Sequence, residues 1–499
     1  MQDFDTTLTL RELLLTVAIL SGTVFALVYL LPMIIVMLGI AIVSLATGIY
    51  TFAFLITRYR EYIPAWLQRT PIWLMLLVPI GVALLIIQHY NIVFTLANAI
   101  IFGSLMLLIC VYWMVIPTAL FQDLKRRSED VTVSEWPSVT VLIPAYNEAG
   151  YIGPCIDSVL ASDYPDGKLQ VVAIDDGSSD DTFIEAMERA GEQVTVLQKS
   201  NGGKHSALNY GLRHTDSALV MGIDGDSLVA PNAVKKLIET YESRPDACAV
   251  AGNIRVQNRE HVVTRIQALE YIVSINMFRR ALDNVGLVKV VPGCLGLFER
   301  PMIEKMGGFS GDTVTEDFDM TMELLKSGRG VHYSSEAVSY TEAPSTWRDL
   351  YNQRLRWFRG TIQTLSKHRE IFLDTRYDLL HRILVPYLLI SAVGVPVLSL
   401  AVLSSIIWAA LFGSIITLLG VFVLFTLLEM LFAMLAVILE ADATREDFFL
   451  LRYAPLTVLG YKQFNDAVML KSVADVFLNS DFSWTHVRRA RHENEDRAD

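Results

Sequence analysis

Charged residues are missing from three long stretches of this chain, and those stretches set its organisation. None occurs in the 45 positions between Glu12 and Arg58, the 53 between Arg69 and Asp123, or the 46 between Arg382 and Glu429. About 20 apolar residues cross a hydrocarbon core, so each stretch has room for two helices. Turn-forming or polar residues divide them at Leu31-Pro32-Met33, Gln88-His89-Tyr90-Asn91 and Phe412-Gly413-Ser414. The pattern predicts four transmembrane helices at about 13–31, 33–56, 71–88 and 92–121, and two more at about 384–411 and 415–439.

Between these blocks the apolar runs shorten and alternate with helical patterns. Val139 to Pro144, Leu169 to Ile174 and Ala218 to Ile223 read as buried strands, and Ile152 to Leu160 as a helix. That alternation predicts an α/β unit with a mainly parallel sheet. Further on, Trp347, Leu350, Tyr351, Leu355, Phe358, Ile362 and Leu365 recur at helical spacing, predicting an amphipathic helix over 345–367 that lies against a bilayer. The expected organisation is a membrane block over 1–122, a cytoplasmic catalytic domain over 123–370, a second membrane block over 371–445, and an interfacial segment with a tail over 446–499.

Composition agrees: 53% of the 499 residues are hydrophobic and 19% charged, against about a quarter charged in soluble domains. A net charge of −12 excludes a general nucleic-acid binder, which needs a cationic face to displace counterions. Arg58, Arg60 and Arg69 fall between the second and third predicted helices, and Lys125-Arg126-Arg127 follows the fourth. Positive residues stay inside, which predicts a multi-pass protein of the inner (plasma) membrane with its middle domain in the cytoplasm. Cys110, Cys155, Cys248 and Cys294 form no Cys-x-x-Cys pair, which argues against structural zinc and a disulfide framework. Glu429, deep in the sixth predicted helix, is expected to face protein or a polar passage.

The candidate chemistry sits at strand ends, where open α/β sheets bind ligands. The second predicted strand runs into Asp175-Asp176-Gly177-Ser178 and the third into Asp224-Gly225-Asp226. Two carboxylates at positions i and i+2 can converge on a hard divalent cation. Asn201-Gly202-Gly203-Lys204 adds flexible backbone and a cation, and Thr315-Glu316-Asp317 a second acid cluster. Each motif has a plainer reading. An Asp-Gly turn can be structural, Trp357 can anchor the amphipathic helix, Cys294 can be a small core residue, and Arg255 can serve a diphosphate or the surface. His205 and His214 are expected to be surface or packing residues.

Taken in order, Pro144-Ala145-Tyr146-Asn147-Glu148, Asp175-Asp176-Gly177-Ser178, Asn201-Gly202-Gly203-Lys204, Asp224-Gly225-Asp226, Thr315-Glu316-Asp317 and Gln353-Arg354-Leu355-Arg356-Trp357 resemble the motifs of membrane-embedded family 2 glycosyltransferases. These are processive synthases of β-linked polysaccharides such as poly-N-acetylglucosamine, chitin, hyaluronan and cellulose. The resemblance implies a GT-A-like (Rossmann-like) catalytic domain inserted between helical membrane blocks. It implies Asp317 as catalytic base, Tyr146, Glu148, Asp176, Lys204, Asp224 and Arg356 around the nucleotide sugar, and Asp226 as ligand of Mg2+ or Mn2+. Gln353 and Trp357, with the loop at Gly293 and Cys294, would meet the acceptor. The expected partners are a UDP-sugar donor, a polysaccharide or lipid acceptor, the lipid bilayer and accessory export proteins, with no nucleic acid. Thr315-Glu316-Asp317 following Gly307-Gly308-Phe309 inclines the donor toward UDP-N-acetylglucosamine. The alternatives are a non-processive transferase acting on a lipid, and a transporter or scaffold with a degenerate enzyme domain.

Overall fold

The computed structural model describes residues 111, 115–129, 131–412 and 415–478. The first three predicted transmembrane helices, most of the fourth, and the tail beyond 478 lie outside the described residues.

An eight-stranded sheet organises the middle of the chain in the order β3-β2-β1-β4-β7-β6-β8-β5. Its members are β1 (Val139–Ala145), β2 (Leu169–Asp175), β3 (Val194–Gln198), β4 (Leu219–Gly222), β5 (Leu228–Val229), β6 (Ala247–Val256), β7 (Gly296–Glu299) and β8 (Gly330–Thr341). Strand β1 is buried along its whole length, as its unbroken apolar run requires of a strand covered on both faces. The first four strands in spatial order are parallel. Strand β7 then runs antiparallel between β4 and β6, and β8 pairs parallel with β6. The sheet is therefore mixed rather than mainly parallel, a GT-A-like half-barrel. Strand β3 escaped the sequence pattern because it lies at an edge and buries only Val194 fully.

The principal helices are α1 (Ile152–Leu160), α2 (Lys204–Leu212), α3 (Ala233–Glu242), α4 (Val262–Glu270), α5 (Met277–Asp283), α6 (Glu316–Lys326), α7 (Trp347–Lys367), α8 (Val395–Phe412), α9 (Ile415–Leu439) and α10 (Lys462–Phe477). A π-helical turn, Tyr271–Asn276, joins α4 to α5. Apolar clusters fill both faces of the sheet: Leu142, Ile174, Leu208, Val220 and Phe298 in one, Val141, Ile143, Ile156, Met221 and Leu237 in the other. A third joins the end of α9 to α4 and the π turn through Phe432, Ala436, Leu269 and Ile272.

Helix α7 starts where the Thr346 hydroxyl accepts the Asp349 N–H at 3.1 Å, a side-chain N-cap. One face of α7 is covered by protein, with Leu350, Arg354, Ile362 and Leu365 buried. Among the described residues, one helical run is long and apolar enough to cross a membrane, Leu380–Trp408. It includes π turns at Leu380–Leu384 and Ile390–Gly394, each followed within two residues by Pro386 or Pro396, whose missing N–H breaks the regular ladder. Within α9 a shorter apolar stretch spans Phe425–Leu439.

Candidate active site

Register brings the predicted motifs to one edge of the sheet. Ala145 at the end of β1 lies beside Asp175 at the end of β2, Asp175 lies beside Gln198 of β3, and Leu142 lies beside Gly222 of β4. The loops carrying Tyr146 to Glu148, Asp176 to Ser178, Asn201 to Lys204 and Asp224 to Asp226 thus leave the sheet side by side. Gly222 also pairs with Gly296 of β7, so the turn through Gly293 and Cys294 arrives at the same edge from the opposite direction.

These loops line a cavity of about 1520 Å3, larger than the usual few hundred Å3 of a single small-molecule site. It reaches from Tyr146, Glu148, Asp176, Lys204, Asp224 and Asp226 past Gly293, Cys294, Glu316 and Asp317 to Gln353, Arg356 and Trp357. All twelve residues predicted from the sequence therefore meet one space. Its far wall is formed by Leu388, Ser391, Ala392 and Pro396 of the apolar run and by Asn465, Asp466 and Met469 of α10.

Asp176 is 3% exposed and fastens the glycine loop beside it. It accepts the N–H groups of Gly202 (3.1 Å) and Gly203 (2.7 Å) and the ammonium of Lys199 (2.5 Å). Gly203 sits at φ +84° immediately before α2, a backbone state that costs a side-chain-bearing residue dearly. The Lys204 ammonium pairs with Asp224 and lies 3.3 Å from Glu316, so it bridges the strand-tip acids to the acids of α6. Burial disfavours its charge, but Asp224, Glu316 and Asp317 outweigh this and raise its pKa. A Cβ at Gly293 would meet that ammonium, so a side chain there would push the flexible end of Lys204 aside.

Glu316 and Asp317 form the first turn of α6. A helix N-terminus favours carboxylates, and the Phe318 N–H donates to Asp317 at 2.8 Å. Burial and the charge of Glu316 nevertheless push the Asp317 carboxyl up to about 6, into the range of a working base. Gly360 of α7 packs so closely on Thr315 that a Cβ there would strike the threonine side chain, which ties α7 to this acid cluster. On α7, Gln353, Arg356 and Trp357 follow at i, i+3 and i+4 and share the cavity-facing side.

Burial raises the Cys294 pKa, with Asp224 adding to it, which disfavours the thiolate that a nucleophile needs. Arg255 serves neither the diphosphate nor the surface. It is 3% exposed, 3.5 Å from Glu440 and 3.6 Å from Asp447. His205, expected at the surface or in packing, lines the cavity. Sequence reasoning passed over Lys199, Glu270, Arg279 and Asn465, which carry no motif. Arg354 stood inside the motif from Gln353 to Trp357 but was given no role of its own.

The donor set suits a hard divalent ion. Asp224 and Asp226 offer carboxylate oxygens at a strand tip, and no group of three or more ligand side chains gathers among the described residues.

Comparison with known proteins fits this geometry. Residues 137–360 match the family model described as glycosyltransferase like family 2. The chain carries a family 2 glycosyltransferase domain. It is similar to the poly-beta-1,6-N-acetyl-D-glucosamine synthase of Staphylococcus aureus, 30% identical over 244 residues, which cover 48% of this chain and 59% of that protein. The same-named protein of Staphylococcus epidermidis is 29% identical over 231 residues, covering 46% of this chain and 56% of the other. The chain thus spans less than two thirds of the length of the curated relatives it matches. Among solved structures, a mannosyltransferase from Pyrobaculum calidifontis, in complex with GDP-Man and Mn2+, superposes with a TM-score of 0.53 at 19% identity, covering 77% of this chain and 100% of that one. At that identity the likeness bears on the fold, and it supports the family 2 domain as GT-A-like.

Proposed function

We propose that this family 2 glycosyltransferase moves a sugar from a UDP-sugar donor, UDP-N-acetylglucosamine by preference, to the end of a growing β-linked polysaccharide with inversion at the anomeric carbon. Asp317 takes the proton of the attacking hydroxyl. Asp176, Tyr146, Glu148 and Lys204 hold the nucleoside end, and Arg356 meets the departing diphosphate with the planar fork suited to phosphate. Gln353 and Trp357, with the Gly293-Cys294 turn, hold the acceptor, whose pyranose ring lies against the indole. Asp226 and Asp224 would hold Mg2+ or Mn2+, which neutralises leaving-group charge.

The observation that carries this reading is the bridging of Asp224 to the acids of α6 by Lys204, in a cavity that also reaches Gln353 and Trp357. One space thereby brings together the strand-tip acids, a carboxyl of raised pKa and an indole, which supports this reading. Its continuation between the Leu380–Trp408 run and α10 supports export of the chain along that run, within a membrane-embedded protein of six spanning helices whose catalytic domain faces the cytoplasm.

The test is to incubate the purified full chain with a panel of labelled UDP-sugars, with and without divalent metal. The expected result is metal-dependent UDP release that is largest with UDP-N-acetylglucosamine, and label in high polymer. Label carried as a single sugar on extractable lipid would replace the polymer reading, and absence of UDP release would overturn transferase activity itself.

A further inference from the structure

Helix α7 shows the cavity Gln353, Arg356 and Trp357, and beside them its largest fully buried side chain is Arg354, which is 2% exposed. The Arg354 guanidinium donates through Nη2 to Glu270 Oε2 at 2.5 Å and to Tyr461 Oη at 3.2 Å. Tyr461 in turn donates to the same Glu270 oxygen at 2.6 Å. The three groups close a ring of hydrogen bonds drawn from α4, α7 and the residue immediately before α10. The guanidinium carbon lies 4.3 Å from the centroid of the Trp357 ring, and the Tyr271 ring lies 6.4 Å from that ring. Glu270 and Tyr271 sit where α4 passes into the π turn, the kind of irregularity that recurs at functional sites.

We propose that Arg354, locked by Glu270 and Tyr461, is a positioning residue that sets the Trp357 platform, so that the acceptor site is complete only when the segment around Tyr461 is docked. This rests on the reading of Trp357 as acceptor platform. A sugar laid on an indole is sensitive to the tilt of the ring, because a site must be held to within about 0.5 Å and 10–20° to work well. A guanidinium over the face supplies that restraint, since it stacks as a plane and keeps its charge when buried. The carboxylate fixes the guanidinium, and the Tyr461 hydroxyl fixes the carboxylate. Lysine would keep the charge without the plane. Tyr461 lies outside the matched residues 137–360, so a residue beyond the catalytic domain controls the geometry of a residue within it. The link is a short one: the chain kinks at Leu459 and Gly460 just before Tyr461, and Trp347 at the first turn of α7 packs 6.2 Å from the Tyr461 ring.

The test uses the full chain in detergent, UDP-N-acetylglucosamine as donor and a β-1,6-linked N-acetylglucosamine oligosaccharide as acceptor probe. Arg354→Lys should raise the oligosaccharide KM and its calorimetric Kd ~10-fold, and Tyr461→Phe ~3-fold, with donor KM and UDP affinity within about twofold of wild type. In a Trp357→Leu background, Arg354→Lys should add less than about twofold, because a residue that acts through another loses its effect when that other is gone. Unchanged oligosaccharide affinity in Arg354→Lys, additive effects in the double variant, or parallel loss of donor and acceptor affinity would each overturn the inference. Failure of the wild-type protein to bind or extend the oligosaccharide would instead overturn the acceptor-site reading, and this inference with it.

Discussion

At the strand-tip end of the cavity, backbone does most of the holding: Asp176 is fastened by the N–H groups of Gly202 and Gly203, and register alone brings four loops together. At the helical end, side chains far apart in sequence do it. Arg354 meets Glu270 across 84 residues, Tyr461 meets Glu270 across 191, and Asn253 of β6 donates to Glu440, just past α9, across 187. The first end is assembled by the sheet itself and persists as long as the sheet does. The second depends on buried polar pairs, each of which is costly to leave half made. On the proposed roles, grip on the acceptor therefore depends on attachments that single substitutions can undo.

The sharpest way to break the comparison is to remove the proposed base without touching either scaffold. Asp317→Asn keeps the shape and the Phe318 N–H contact but cannot take a proton. Transfer should fall by about 10²–10⁴-fold, while UDP binding and the melting midpoint stay near wild type. Transfer at the wild-type rate would remove Asp317 from the role of base.

Next in size is an attack on the helical end. Glu440 is 5% exposed, accepts from Asn253 at 2.7 Å and lies 3.5 Å from Arg255 and 3.7 Å from Arg280. Both guanidiniums are buried. Glu440→Gln leaves them with less compensation: Arg255 retains Asp447 and Arg280 a distant Asp123 at 3.8 Å. Breaking a buried pair costs about 3–5 kcal/mol, so a clear drop in the melting midpoint in detergent is expected, with UDP affinity retained below the transition. Loss of UDP affinity at temperatures where the protein stays folded would show that the two ends are not separately built.

The same contrast explains what could be read in advance. The acids at the tips of β2 and β4 were legible because a buried strand announces itself as an apolar run and the turn after it as Asp and Gly. Trp357 and Gln353 were legible only because Gln353-Arg354-Leu355-Arg356-Trp357 resembles a known motif. Asn253 and Arg255 were not: polar residues inside β6 make sense only once Glu440 and Asp447 are seen against them, and no local pattern encodes a partner so distant in sequence. Strand β3 was missed for the opposite reason, since an edge strand need not be apolar. The antiparallel β7 is four residues long, too brief for periodicity to distinguish it from loop.

The smallest effect, and the one that tests the electrostatics directly, is the acid limb of the pH profile. Burial and Glu316 push the Asp317 carboxyl up to about 6, with Lys204 opposing them. A base works in its ionised form, so kcat/KM should be full above this value and fall about tenfold per pH unit below it. Glu316→Gln removes the second-largest cause of the rise and should carry the midpoint to lower pH, even though the variant also loosens Lys204 from α6. A limb that keeps its midpoint in Glu316→Gln would remove Asp317 as the titrating group, because the neighbouring carboxylate is the largest cause of the raised value after burial itself.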